Sequence, residues 1–286
     1  MASDISTARH DAPIRDEGPV LDDALCEALI ATMIAAGAVV MDVYRQDFVV
    51  EAKGDASPVT EADRLAEAVI VADLGRLAPG IPVVAEEACA CGLLQDVADV
   101  FFLVDPVDGT REFISRNGDF TVNIALVREG VPVFGLVYAP LHGMLYLGRA
   151  TGAELIMVEN DRVTARVPIR ACAEDGAPRI IASRSHRTTE TDAFIARFPG
   201  ASIVSAGSSL KFCLMAAGKA DLYPRLGPTM QWDTAAGDAV LRAAGGSVTD
   251  MEGMPLSYGP NGGDGVMAFA NPWFVARGVP VGLKHE

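Results

Sequence analysis

The sequence predicts an α+β first half running without a flexible linker into an α/β second half. A helical apolar period opens the chain over 21–46, and short apolar runs punctuated by turn residues fill 81–158. After about residue 165, strand-like runs alternate with helical ones. Clustered strands joined by tight turns imply a meander, whereas strands interleaved with helices imply a sheet with crossovers. The expected division is an arm at 1–20, an α+β subdomain at 21–165 and an α/β subdomain at 166–286.

Residues 1–20 mix Asp, Glu, Arg, His and Pro without an apolar block, so no signal peptide is expected and the segment reads as a frayed arm. Leu21, Leu25, Leu29, Met33, Ala36, Val40 and Val43 then recur at helical spacing. The longest uncharged stretch, Ala28–Met41, has 14 residues. A spanning helix needs roughly 20 apolar residues, so a buried core helix is expected and membrane insertion is not. Phe48-Val49-Val50 begins a short strand ending at Lys53-Gly54, and a second helix runs from near Val59 to about Leu77, before Pro79-Gly80.

Ile81–Ala85 and Val100–Val104 are apolar runs of strand length. Phe120–Val127, Val131–Tyr138, Met144–Leu147 and Glu154–Val158 form the meander, turning at Glu129-Gly130 and His142-Gly143. In the second half, strands are expected at Ile180–Ala182, Ile203–Ser205, Ala220–Tyr223 and Ser247–Thr249. Helices near 190–198, 208–217 and 233–244 separate them.

Half of the 286 residues are apolar and 21% are charged, which suits a well-buried interior rather than disorder. Five cysteines form an odd set without scaffold spacing, so reduced thiols in a cytoplasm are expected. Cys89-Ala90-Cys91 reads either as a redox or metal pair or as two loop cysteines. A net charge of −15 argues against nucleic acid polymers as partners. It opposes a small anionic ligand too, unless divalent cations stand between ligand and protein.

The densest chemical signal is Leu103-Val104-Asp105-Pro106-Val107-Asp108-Gly109-Thr110. An apolar strand delivers Asp105 to its end, Pro106 is expected to stop the ladder, and Asp108 follows on the loop. Carboxylates that close repel one another unless a cation lies between them, and magnesium takes oxygen ligands such as these and the Val107 carbonyl. Gly109 and Thr110 offer backbone N–H groups as a cradle for phosphate oxygens. An ordinary Asp-Gly turn is the alternative. Glu86-Glu87 follows a strand in the same way, or is solvated surface. Asp233, in Trp232-Asp233-Thr234-Ala235-Ala236-Gly237, is a further acid or a helix cap. Asp63, three residues after Thr60, is another or half of a capping box. Gly207-Ser208-Ser209-Leu210-Lys211 opens a helix with hydroxyls and a cation, a seat for a second phosphate, although Lys211 could equally be a solvated helix residue.

Together these segments resemble the inositol monophosphatase superfamily and, more closely, its CysQ-type branch, the 3'(2'),5'-bisphosphate nucleotidases. The likeness to that branch extends over Arg111-Glu112-Phe113-Ile114-Ser115-Arg116-Asn117-Gly118-Asp119-Phe120-Thr121-Val122-Asn123, Ser183-Arg184-Ser185-His186, Ser205–Phe212 and Tyr223-Pro224-Arg225. The resemblance implies a layered αβαβα sandwich, with metals held by the first subdomain and substrate by the second. It implies two to three magnesium ions: Glu86, Asp105 and the Val107 carbonyl for one, Asp105, Asp108 and Asp233 for another, and a weaker third near Glu86. Of the Glu pair, Glu86 is the family's ligand. Asp63 and Thr110 would deprotonate and orient an attacking water, activated by metal for in-line displacement. Glu86, Val107, Asp108, Gly109, Thr110, His186, Ser208, Lys211, Arg225 and Asp233 would contact substrate, with Arg184 nearby.

The implied reaction is hydrolysis of adenosine 3',5'-bisphosphate to AMP and phosphate. With it come a place in sulfur assimilation, sensitivity to lithium and room for a homodimer. The alternatives are an inositol monophosphatase, a fructose-1,6-bisphosphatase, or a non-catalytic metal- or phosphate-binding protein.

Overall fold

The computed structural model describes residues 21–52, 58–93, 97–172, 176–182 and 188–279. Asp22 caps the first helix, α1 (Asp23–Tyr44), its carboxylate accepting from Leu25 N at 2.8 Å. Two-residue strands β1 (Glu51–Ala52) and β2 (Pro58–Val59) pair antiparallel before α2 (Glu61–Leu77). The strand expected from Phe48 to Lys53-Gly54 is present at Glu51–Ala52 and starts later than expected, because pairing with Val59 and Pro58 decides where it begins; Lys53-Gly54 falls outside the described residues.

Strands β3 (Val83–Ala85) and β4 (Val100–Asp108) flank the short helix α3 (Glu86–Ala90), and α4 (Thr110–Ile114) follows directly. The meander is β5 (Thr121–Arg128), β6 (Val131–Ala139), β7 (Met144–Arg149), β8 (Gly152–Glu159) and β9 (Arg162–Ile169). With β3 and β4 it makes a seven-stranded sheet in chain order, of which only the β3–β4 pair is parallel. Contrary to expectation, Pro106 does not end β4. The register shifts between Asp105 and Asp108, and pairing resumes at Asp108 opposite Thr121. A bulge tolerates the missing N–H and re-aims the side chains around it.

The remaining elements are β10 (Arg179–Ala182), α5 (Thr189–Ile195), β11 (Ser202–Ser205), α6 (Leu210–Ala216), β12 (Leu222–Arg225), α7 (Ala235–Ala243), β13 (Ser247–Asp250) and β14 (Phe274–Arg277). The second sheet has the order β11-β10-β12-β14-β13, parallel around β10 and antiparallel at β14.

Period-two alternation sorts the core into layers. Phe102 and Val104 of β4 face α1 and α2, meeting Leu29, Met33 and Ile70. Phe101 and Leu103 face the other way, into a core shared with α6, α7 and one side of the second sheet. Ile180, Leu222 and Val275 on that sheet's far side pack against Phe194 of α5. The result is five layers, αβαβα, in which each fully buried large apolar side chain contributes roughly 1.5–3 kcal/mol. Helix α1 has the length and apolarity of a membrane span, but Leu29, Met33, Ala36 and Val40 on it have no exposure at all, so it is a core helix here. Helix α7 lies unusually close to the first sheet, since a Cβ at Gly148 would stand 2.4 Å from Val240 Cα, and one at Gly135 2.3 Å from the Ala236 carbonyl. This contact brings the segment before α7 down onto the end of β4.

Candidate active site

The end of β4, the starts of α3 and α4, the turn before α6 and the turn before α7 meet at one cavity of about 250 Å³. Glu86, Asp108, Glu112 and Asp233 are the acids of its lining, and Lys211, Arg225 and Arg111 are its bases. Asp105 lies just beneath, 1% exposed, its Oδ1 accepting from Val107 N at 3.0 Å. Gly109, at φ +89°, turns the chain from β4 into α4 and places the α4 N-terminus at the cavity wall. A Cβ there would lie 3.1 Å from the Asp119 carbonyl, so both conformation and space favour glycine.

Burial pushes Asp105 well above the ordinary carboxylate range, and the charges of Glu86, Asp108 and Asp233 push it further. Asp233 is raised in the same way, by burial and then by Asp108 and Glu86. Asp108 is raised by burial too, against the pull of Lys211 and the Ser209 hydrogen bonds. Carboxylates crowded this way ionise together only around a cation, and an all-oxygen set suits a hard divalent ion such as magnesium. The residues present therefore fit that ion. Among the described residues, no three acidic, histidine or cysteine side chains already form a finished ligating cage. Among the bases of the lining, burial lowers the Lys211 pKa to about 8, with Asp108 opposing the shift; the ammonium sits 5.4 Å from the Tyr223 ring centroid.

Of the residues singled out in the sequence, Glu86, Asp108, Gly109, Thr110, Ser208, Lys211, Arg225 and Asp233 line this cavity. The Val107 carbonyl accepts from the Thr110 hydroxyl at 3.3 Å. Asp63 completes a capping box, its Oδ2 accepting from both Thr60 N and Thr60 Oγ1 at 2.8 Å. Glu87 is buried behind Glu86 rather than facing the cavity. Cys89 is buried and Cys91 exposed, and both are free thiols. Arg184 and His186 lie outside the described residues.

Sequence reasoning missed three supporting residues. Glu67, one turn after Asp63 on α2, accepts from Glu87 N at 2.7 Å and Ala88 N at 2.9 Å, capping α3 from another helix. Its i, i+4 spacing from Asp63 was the available signal. Glu112, 3% exposed, lines the cavity beside Arg111. Ser209, adjacent to the noted Ser208, reaches back to Asp108 across 101 residues of sequence, a partnership no local pattern carries.

The description of the inositol monophosphatase family fits residues 22–274. The chain belongs to the inositol monophosphatase family. Within it, the chain is 44% identical over 241 residues to the 3'(2'),5'-bisphosphate nucleotidase CysQ of Shigella flexneri, covering 84% of this chain and 94% of that protein. The CysQ of Escherichia coli strain K12 is 43% identical with the same coverage. The crystal structure of CysQ from Bacteroides thetaiotaomicron, a bacterial member of the family, superposes with a TM-score of 0.72 at 37% identity, over 89% of this chain and 97% of that one. The five layers are thus this family's fold.

Proposed function

We propose that the chain, a phosphatase of the inositol monophosphatase family, hydrolyses the phosphomonoester of a nucleoside 3',5'-bisphosphate, converting adenosine 3',5'-bisphosphate to AMP and phosphate. The observation that carries this reading is one cavity lined both by a group of acids, Glu86, Asp108 and Asp233, and by the cations Lys211 and Arg225. A monophosphate needs only the acids and their ions. A substrate with a second phosphate also gives the cations a partner, and the similarity to CysQ proteins favours that substrate.

In this reading Glu86, Asp105, Asp108, Asp233 and the Val107 carbonyl hold two to three magnesium ions. Bound magnesium would supply positive charge that makes water acidic enough to attack near neutral pH and offsets charge on the phosphoryl group. The N–H groups of Gly109 and Thr110 receive the phosphoryl oxygens, and Asp63 with Thr110 orients the water. Lys211, Arg225 and Ser208, joined by His186, hold the phosphate that is not cleaved and so fix which ester faces the acids. Placing the chain in sulfur assimilation and in the cytoplasm, as a lithium-sensitive enzyme able to form a homodimer, belongs to the same proposal. So does the division near residue 165, supported by one sheet ending at Ile169 and the other beginning at Arg179.

The test is phosphate release from adenosine 3',5'-bisphosphate, inositol 1-phosphate and fructose 1,6-bisphosphate at equal concentration, with and without magnesium. Preference for the nucleotide supports the assignment; preference for either sugar or inositol ester overturns it.

A further inference from the structure

The turn that opens α6 is pinned at both ends by acids from the first half of the chain. Gly207 N donates to Asp119 Oδ2 at 3.0 Å, and Ser209 N donates to Asp108 Oδ2 at 2.6 Å. Between them Ser208 takes a φ of +42°, a left-handed conformation that a serine adopts only when its surroundings impose it. That conformation aims the next amide at Asp108. Ser209 is 1% exposed, and its hydroxyl lies among three partners. It is 2.8 Å from Asp108 Oδ2 and 2.6 Å from the Asp233 carbonyl, and it accepts from Asn123 Nδ2 at 3.0 Å. With the Asn123 amide occupying a lone pair, the one hydroxyl proton is shared between Asp108 Oδ2 and the Asp233 carbonyl, while the Ser209 N–H holds Asp108 Oδ2 independently. Asn123 stands directly across the sheet from Asp105. One small side chain thus touches the segments bearing Asp108 and Asp233 and the cross-strand neighbour of Asp105.

We propose that Ser209 is a positioning residue for the acids of the cavity. Its amide and hydroxyl fix Oδ2 of Asp108, leaving Oδ1 as the ligand atom, and its contact with the Asp233 carbonyl keeps the turn before α7 in register with the end of β4. The inference rests on the reading of the cavity as a magnesium site. It links Asp108 at the end of β4 to the turn that carries Asp233, two segments far apart in the chain, so that their acids can share ions. Preorganisation of this kind acts on ion affinity: without the clasp, Asp108 samples orientations that no longer converge with Asp233.

Calorimetric titration of magnesium into the chelator-stripped chain tests this. Ser209→Ala is expected to bind magnesium about ten-fold more weakly than wild type, ~1.4 kcal/mol. Its KM for substrate at saturating magnesium should stay within two-fold of wild type. Ser209→Thr, which retains the hydroxyl, should recover affinity to within about three-fold, a rescue that loss of packing alone would not give. Magnesium affinity in a folded Ser209→Ala equal to wild type, or a Thr variant as weak as the Ala variant, would overturn the proposal. If the Ala variant does not fold, Ser209→Cys keeps the volume with a far weaker donor, and the same two criteria apply. Absence of magnesium uptake by wild type itself would instead remove the metal-site reading beneath it.

Discussion

Replacing Lys211 probes the cations of the cavity with the least disturbance elsewhere. The residue is 7% exposed and lines the cavity, and burial lowers the pKa of its ammonium to about 8. A hydrogen bond to a charged group contributes roughly 1.5–3 kcal/mol, which corresponds to about 10- to 150-fold in affinity. Lys211→Met keeps the side-chain volume and removes the charge, so KM for adenosine 3',5'-bisphosphate should rise by that factor. KM for a monophosphate should change by less than about three-fold. A depressed lysine pKa also sets a direction with pH. Ordinary lysine keeps its proton to about pH 10.4, whereas burial brings the loss of the Lys211 proton down to about pH 8. In wild type, kcat/KM for the bisphosphate should therefore fall as pH rises through about 8, because kcat/KM reports the free enzyme. A cation beside Asp108 weakens that carboxylate's support of the ammonium and moves the fall to lower pH, not higher. The assay is steady-state phosphate release from pH 6.5 to 9.5 at saturating magnesium. Equal KM changes for both substrates, or an identical pH limb in Lys211→Met, would refute the second-phosphate role.

Asp105→Asn should abolish phosphate release while circular dichroism remains native, since the buried position loses a charge and keeps its shape; turnover equal to wild type would remove Asp105 from the site. Gly148→Ala places a Cβ 2.4 Å from Val240 Cα, so α7 must shift. Overpacking of about 1–3 kcal/mol should lower the midpoint of a thermal melt by roughly 2–10 °C, and an unchanged melt would show that α7 is not held this tightly. Metal-free protein should lose stability as pH rises. Glu67, raised by burial to a pKa of about 7 from its ordinary 4.5, binds a proton in the folded state that the unfolded chain has released, so its contribution is full below about 4.5 and gone above about 7. That amounts to about 3 kcal/mol, and Asp105, Asp108 and Asp233 act in the same direction. Denaturant melts in chelator from pH 4.5 to 8 measure it, and a stability that climbs over that window would contradict the electrostatics. Removing the Asp238 carboxylate by Asp238→Ala strands Arg242, which it binds at 2.7 and 2.8 Å, and should cost about 3–5 kcal/mol in the same melts.

Local pattern revealed most of the layers because the apolar periods and the turns are written side by side in the chain. The α1 spacing and the β5–β8 meander are of this kind. Strand β9 escaped because nearly all its residues are exposed, so its identity comes from backbone pairing with β8 rather than from burial. Strand β14 is four residues long and is defined by neighbours some 50 and 25 residues back, at β12 and β13. The continuation of β4 past Pro106 depends on Thr121 across the sheet, which no reading of Pro106 alone could supply.

The same distinction governs the site. Asp105, Asp108 and Gly109 announce themselves within a few residues of one another. Ser209 and Glu67 act on partners in other elements, and their own neighbourhoods offer simpler uses for them. A serine before a helix looks like a cap, yet Ser209 bonds Asp108 and the Asp233 carbonyl. A glutamate inside α2 looks solvated, yet it caps α3. Lys211, for which a solvated helix position was the open alternative, is instead buried at the cavity wall.

Diffraction from crystals of the chain grown with manganese, recorded at its absorption edge, addresses the group of acids most directly. Anomalous peaks within about 2.2 Å of carboxylate oxygens of Glu86, Asp105, Asp108 and Asp233 are the predicted result. Ordered manganese elsewhere on the molecule, with none among these four side chains, would contradict it.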